Sequence, residues 1–197
     1  MNANILPNQR ILVVGKSGSG KTYLTLNVLV PNFKNYVVYD YKHEIQLPRA
    51  KYFTRVSEFG KYPGENKIIY RPTTGEDEEF NDLCGAIFKR RNTMFVVDEL
   101  ANHCSQHHIQ QNHALILRLG RSLGIGNINC AQEPVGIHRN IMTQAEHFFI
   151  FDIPDESHRG KLAGYTGPQV KERLDSYWFW YYGTGMHDPV LMQPVKC

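Results

Sequence analysis

The chain is poor in several things, and each absence narrows its class. It has four cysteines in 197 residues, Cys84, Cys104, Cys130 and Cys197, far apart and with no CxxC pair. That excludes a disulfide framework and is the pattern of a reducing compartment. No apolar run approaches the roughly 18 residues of a membrane span. The opening MNANILPNQR carries no apolar signal-peptide core, so a soluble, intracellular protein without a membrane span is expected. Charge is nearly balanced, at a formal +3, which permits contact with nucleic acid without arguing for it. Repeats and low-complexity tracts are missing. With 42% apolar and 21% charged residues, the chain can bury a core, and its length suits one compact α/β domain over residues 1–197.

Short apolar runs alternate with longer helical patterns, as expected of a mainly parallel sheet flanked by helices. The runs Ile11–Val14, Tyr36–Tyr39, Lys67–Tyr70, Thr93–Val97, Asn127–Ala131 and Glu146–Ile153 read as strands, with a short one near Tyr52. Helices are expected from Lys21 to before Pro31, over Glu76–Arg91 and over His107–Leu119. Asp155-Glu156-Ser157 reads as the first turn of another. Tyr177–Tyr182 and Pro189–Val195 read as an antiparallel hairpin on the sheet edge, its aromatics packed rather than free to stack bases.

Gly15-Lys16-Ser17-Gly18-Ser19-Gly20-Lys21-Thr22 fits GxxxxGK[ST]. Glycines let such a loop turn its N–H groups inward, and a helix N-terminus behind it favours anions. The pattern arises by chance in roughly one sequence of this length in a hundred. Here it also has its required context, a buried strand before and a helical pattern after. Lys21 is expected to reach the β- and γ-phosphates of ATP, and Thr22 to hold Mg²⁺.

Met94-Phe95-Val96-Val97-Asp98-Glu99 ends a buried strand in two acids, at the sheet end where ligands bind. Asp98 is the expected second Mg²⁺ residue and Glu99 the base that polarises water. Gln132 ends the next strand, placed to sense the γ-phosphate or orient water. Lys89-Arg90-Arg91, the densest basic cluster, falls at the opposite edge and reads as a solvated helix end. His103, Cys104, His107, His108 and His113 crowd together without the two clear ligand pairs of a zinc site. They read as a polar loop, one place where DNA could pass.

A P-loop, an Asp-Glu strand, and Leu117-Arg118-Leu119-Gly120-Arg121-Ser122-Leu123-Gly124-Ile125-Gly126 leading to Ala131-Gln132-Glu133-Pro134 follow in that order. The order is similar to the FtsK/HerA superfamily, and most like the small genome-packaging ATPases of membrane-containing icosahedral viruses, the tectivirus-like and poxvirus-type group. The likeness spans about residues 10–155 and departs at Glu133, where a basic residue is expected. It implies a RecA-like P-loop NTPase core. It further implies a ring, usually of six subunits, that hydrolyses ATP to drive double-stranded DNA, without sequence preference, into a preformed capsid. The implied partners are capsid vertex proteins, and the implied location is the host cytoplasm or the virion. In such a ring a neighbour's arginine completes each site. Arg121 is the first candidate and Arg118 the second, on a helical face opposite Ile109, Ile116, Leu119 and Leu123. A nucleoside or nucleotide kinase, with Arg159 and Lys161 as its lid, is the main alternative; a non-motor assembly factor is another. Strand order separates the motor from the kinase. A motor places the Gln132 strand between the P-loop strand and the Asp98 strand.

Overall fold

The computed structural model describes residues 5–195. Runs of four or five apolar residues become strands buried on both faces, which is why they read as continuous rather than alternating. The strands are β1 (Arg10–Val14), β2 (Tyr36–Tyr39), β3 (Lys51–Phe53), β4 (Lys67–Tyr70), β5 (Met94–Val97), β6 (Gly126–Ala131), β7 (His147–Phe151), β8 (Phe179–Gly183) and β9 (Val190–Met192). They form one sheet in the order β3-β4-β2-β5-β6-β1-β7-β8-β9. Pairings among β1 to β7 are parallel; β7–β8 and β8–β9 are antiparallel. β6 lies between β1 and β5, pairing Val14 with Ala131 on one side and Val97 with Asn129 on the other.

Alternate residues of each strand enter two cores. The helices are α1 (Lys21–Tyr23), α2 (Glu58–Lys61), α3 (Asp77–Arg90), α4 (Gln111–Leu119), α5 (Arg139–Gln144) and α6 (Glu156–Thr166), and Leu12, Val14, Tyr39, Phe95, Val97 and Ile150 face α3 to α6. Ile11, Val13, Val38, Val96, Ile128 and Phe149 face the segment that follows the P-loop. A short helix, Glu58–Lys61, covers the β3 end. Asp155 caps α6 by accepting from the Ser157 and His158 N–H groups, as its position implied.

Five expectations are corrected. The segment from Lys21 is not one α-helix: Lys21–Tyr23 is α-helical, Leu24–Leu29 widens into a π-type turn, and Val30–Asn32 tightens to 3-10. α4 starts at Gln111, four residues after the expected His107. Residues 104–109 instead form a tight turn in which the Ser105 N–H donates to the His108 carbonyl at 2.9 Å and Cys104 bridges Ile109. Leu119 is 49% exposed rather than packed. Arg121 lies past the end of α4, in the 3-10 turn Gly120–Leu123, so it does not continue the Arg118 face of a regular helix. Finally, β8 begins at Phe179. Tyr177 lies outside it, at φ 67°, and β9 spans only Val190–Met192.

Of the crowded histidines, His103 and His113 are structural, while His107 and His108 are exposed. His103 is buried, stacked on Phe80 with ring centroids 4.3 Å apart, and bridges the Tyr39 hydroxyl at 2.8 Å and Asp77 at 2.9 Å. No group of three or more metal-binding side chains forms among the described residues. His113 is fully buried 3.2 Å from Asn127 Oδ1, which also accepts from Asn129 at 2.7 Å. Burial pulls the His113 pKa down to about 4. The unfolded chain therefore takes up a proton near its ordinary value while the folded chain does not. Stability is lost as pH falls from that value toward the folded one. The loss between about pH 7.5 and about pH 5 is expected to be roughly 2 kcal/mol. Urea unfolding at the two pH values, compared with His113→Gln, measures it; an equal drop in both proteins would refute the assignment.

Candidate active site

The loop Gly15–Thr22 leaves the carboxyl end of β1 and is pinned to both neighbouring strands. The Gly15 N–H donates to the Ala131 carbonyl at 3.2 Å, and the Lys16 N–H to that of Asp152 at 3.0 Å. Glycine is required at position 15, where a Cβ would stand 2.5 Å from the Phe151 Cβ, and at position 20, which opens the helix at φ 104°. Lys21 is 8% exposed. Its ammonium donates back across the loop to the Lys16 carbonyl at 2.9 Å. Burial lowers its pKa, and the nearby acids Asp98 and Glu99 act against that.

Because β6 separates β1 from β5, Asp98 and Glu99 sit one strand away from the loop, with Gln132 between. The Thr22 hydroxyl donates to Asp98, at 3.0 Å to Oδ1 and 3.2 Å to Oδ2. Burial raises the Asp98 carboxyl above its ordinary pKa, with the Thr22 bond opposing. Glu99 has both oxygens engaged: Oε1 accepts from Gln132 Nε2 at 2.8 Å and Oε2 from Lys42 Nζ at 2.6 Å. Burial alone would raise the Glu99 pKa, but Lys42 and Gln132 together bring it below the usual glutamate value. These residues line a cleft of about 380 Å³. A larger groove, about 760 Å³, runs past Phe59 and Lys89. It contains none of the P-loop, Asp98, Glu99 or Gln132.

Sequence reasoning missed two parts of this site. Lys42 lies in the loop after β2, and Asp40 shapes that loop. The Asp40 carboxylate, 1% exposed, accepts from the Glu44 and Ile45 N–H groups at 3.0 and 3.1 Å and from Arg71 Nε at 2.9 Å. On the other side, Asp152 follows β7 and gathers Lys16 Nζ at 2.8 Å and Arg173 at 2.7 and 2.9 Å. Arg173 first, then Lys16, hold the Asp152 carboxyl far below the usual aspartate range, against burial.

The structure does not bring the two arginines to the loop of their own chain. Arg121 Nη1 pairs with Glu146 Oε1 at 3.1 Å, and Glu146 Oε2 pairs with Arg10, the first residue of β1. Arg121 is thus at the amino edge of the sheet, about 16 Å of strand from Gly15. Arg118 is exposed on α4. Of the Lys89-Arg90-Arg91 cluster, Arg90 donates to the Glu65 carbonyl and lies over the Phe59 ring, while Lys89 and Arg91 are exposed. Arg159 cannot serve as a lid. It is buried and donates to the carbonyls of Ile153, Pro154 and Lys171.

No family model matches the chain. It is 26% identical over 206 residues to the DNA packaging ATPase P9 of Enterobacteria phage PRD1, covering 96% of this chain and 89% of that protein. It is also 26% identical to protein P9 of Pseudoalteromonas phage PM2, over 73% of this chain and 68% of that one. Its fold is that of the genome packaging NTPase B204 of Sulfolobus turreted icosahedral virus 2, solved with ATP-gammaS. The TM-score is 0.81 at 20% identity, and each chain is covered in full. A more distant likeness is to ATPases 2 and 3 of EssC from Geobacillus thermodenitrificans, with a TM-score of 0.63 at 14% identity, over 93% of this chain and 39% of that one. The resemblance drawn from the Gly-Arg stretch and strand-end Gln132 therefore holds.

Proposed function

We propose that this protein is an ATP-hydrolysing motor that packages viral double-stranded DNA into a preformed capsid. One observation carries the reading. β6 lies between the P-loop strand and the Asp98 strand, so Gln132 and Glu99 meet beside the loop and leave room for a water to be aligned on a γ-phosphate. The likeness to a phage DNA packaging ATPase over nearly the whole chain supports it. The kinase alternative loses its lid, since Arg159 is internal, and the strand order does not favour it, since β1 is not beside β5.

In this mechanism the inward N–H groups of Gly15–Thr22 bind the phosphates, and Lys21 turns from the Lys16 carbonyl to the β- and γ-oxygens. Thr22 and Asp98 fit Mg²⁺, because a hydroxyl and a carboxylate, both hard oxygen donors, converge there and phosphate and water would supply the rest. Bound there, the ion neutralises phosphate charge. Glu99 accepts a proton from the attacking water, which Gln132 orients. The bond from that water's oxygen to the γ-phosphorus forms as the bond to the β-γ bridging oxygen breaks. Arg121 of one subunit, or Arg118 in its place, reaches the γ-phosphate held by the next subunit of a ring, most simply of six. The whole chain acts as one ATPase domain in the host cytoplasm, at the capsid vertex of the virion, or in both, with vertex proteins as its docking partners. No helix among the described residues is long and apolar enough to cross a membrane.

Purified protein with Mg²⁺ and ATP should release free phosphate, several-fold faster with double-stranded DNA and equally for unrelated sequences. Transfer of the γ-phosphate to a nucleoside, unaffected by DNA, would overturn the motor in favour of a kinase. ATP hydrolysis indifferent to DNA would favour the assembly-factor reading.

A further inference from the structure

The chemistry of the site fixes which way a nucleotide must lie. Asp98, Glu99, Gln132 and Lys42 all stand on the β2–β5–β6 side of β1, so the γ-phosphate end points there. The nucleoside end leaves on the other side, over β7. That side is not open ground. The chain returning from α6 to β8 is strapped against the P-loop there by Asp152. This carboxylate accepts from Arg173 Nε and Nη2, from the Leu174 N–H at 3.2 Å and from Lys16 of the loop itself. The Trp178 N–H then donates to the Asp175 carbonyl at 3.2 Å, closing a turn.

Tyr177 is carried in this turn. Its backbone takes φ 67°, a left-handed conformation that bulky side chains seldom adopt. Its ring edge packs on the P-loop, with Cδ1 3.3 Å from where a Cβ on Gly20 would be. It is nevertheless 56% exposed, more than any other large hydrophobic residue described. An aromatic ring beside a phosphate cradle, more than half exposed, is a surface for another π system.

We propose that Tyr177 stacks on the base of the bound nucleotide. The inference rests on the ATP-site reading and adds its nucleoside half. Stacking tolerates any base, since each has a π face, and depends on the ring rather than the hydroxyl.

The test measures binding of ATP and of inorganic tripolyphosphate, which has the phosphates and no base. Tyr177→Gly removes the ring at a φ that glycine adopts freely, and Tyr177→Phe keeps it. Tyr177→Gly should weaken ATP binding about ten-fold or more, leave tripolyphosphate binding at the wild-type level, and be rescued in Tyr177→Phe. Wild-type ATP affinity in the glycine variant would overturn the assignment. So would a parallel loss of both ligands, which would mean that the ring only supports the loop. If the wild-type protein bound neither ligand, the ATP site itself would fall, and this inference with it. If it bound tripolyphosphate and ATP equally well, only the base contact would fall.

Discussion

Glu99→Gln is expected to retain ATP and to lose turnover by roughly 10²–10⁴-fold, the usual worth of a positioned base. The substitution keeps the side chain's shape and one carbonyl oxygen, so it can still accept from Gln132 or Lys42, as Glu99 does at 2.8 and 2.6 Å. What it removes is the ability to take a proton. The phosphate cradle and the Thr22–Asp98 pair are untouched, so nucleotide retention has no reason to fall. Both oxygens of Glu99 accept one bond each in this structure, and each keeps a second lone pair that a water can use. Filter retention of labelled ATP and release of free phosphate, measured on the same preparation, check the two halves. Undiminished phosphate release would remove Glu99 from the mechanism. Loss of retention would instead mean that the carboxylate organises the cleft.

The strands were readable because both sheet faces are covered, so burial alone wrote β1, β2, β5 and β7 as apolar runs. The P-loop was readable for a different reason: its glycines answer a local demand, a positive φ at Gly18 and Gly20. Long-range geometry was not readable. Lys42 belongs to the site only because β2 pairs with β5, setting Tyr39 opposite Val97. Arg173 belongs only because Asp152 follows β7, the other neighbour of β1. Nothing local marks either residue. Helix ends failed where a competing local structure won. The turn at Ser105–His108 displaced the start of α4, and the π-type turn at Leu24–Leu29 is invisible to a 3.6-residue period. Tyr177 looked like a strand residue by type. Its φ of 67°, which no β-strand allows, takes it out of β8.

In the ring we propose, Arg121→Ala is expected to reduce hydrolysis by roughly 10³-fold or more, the scale of an arginine finger. Within one chain this would be unaccountable. Arg121 stands at the amino edge of the sheet against Glu146 and is separated from Gly15 by the length of β1. A purely structural role is also too small to explain it, because the pair is 60% exposed on the arginine side and such pairs contribute about 1 kcal/mol at most. Action across a subunit boundary is what remains, and it has a signature that a folding defect lacks. Lys21→Ala subunits have an intact Arg121 and a dead loop; Arg121→Ala subunits have the reverse. Mixed, they form interfaces in which one supplies the loop and the other the arginine, so activity should reappear although neither protein is active alone. Rates measured across mixing ratios should peak near equal proportions. A flat, inactive profile would exclude action in trans. Full activity of Arg121→Ala alone would pass the role to Arg118, which is exposed three residues earlier and testable by the same mixing.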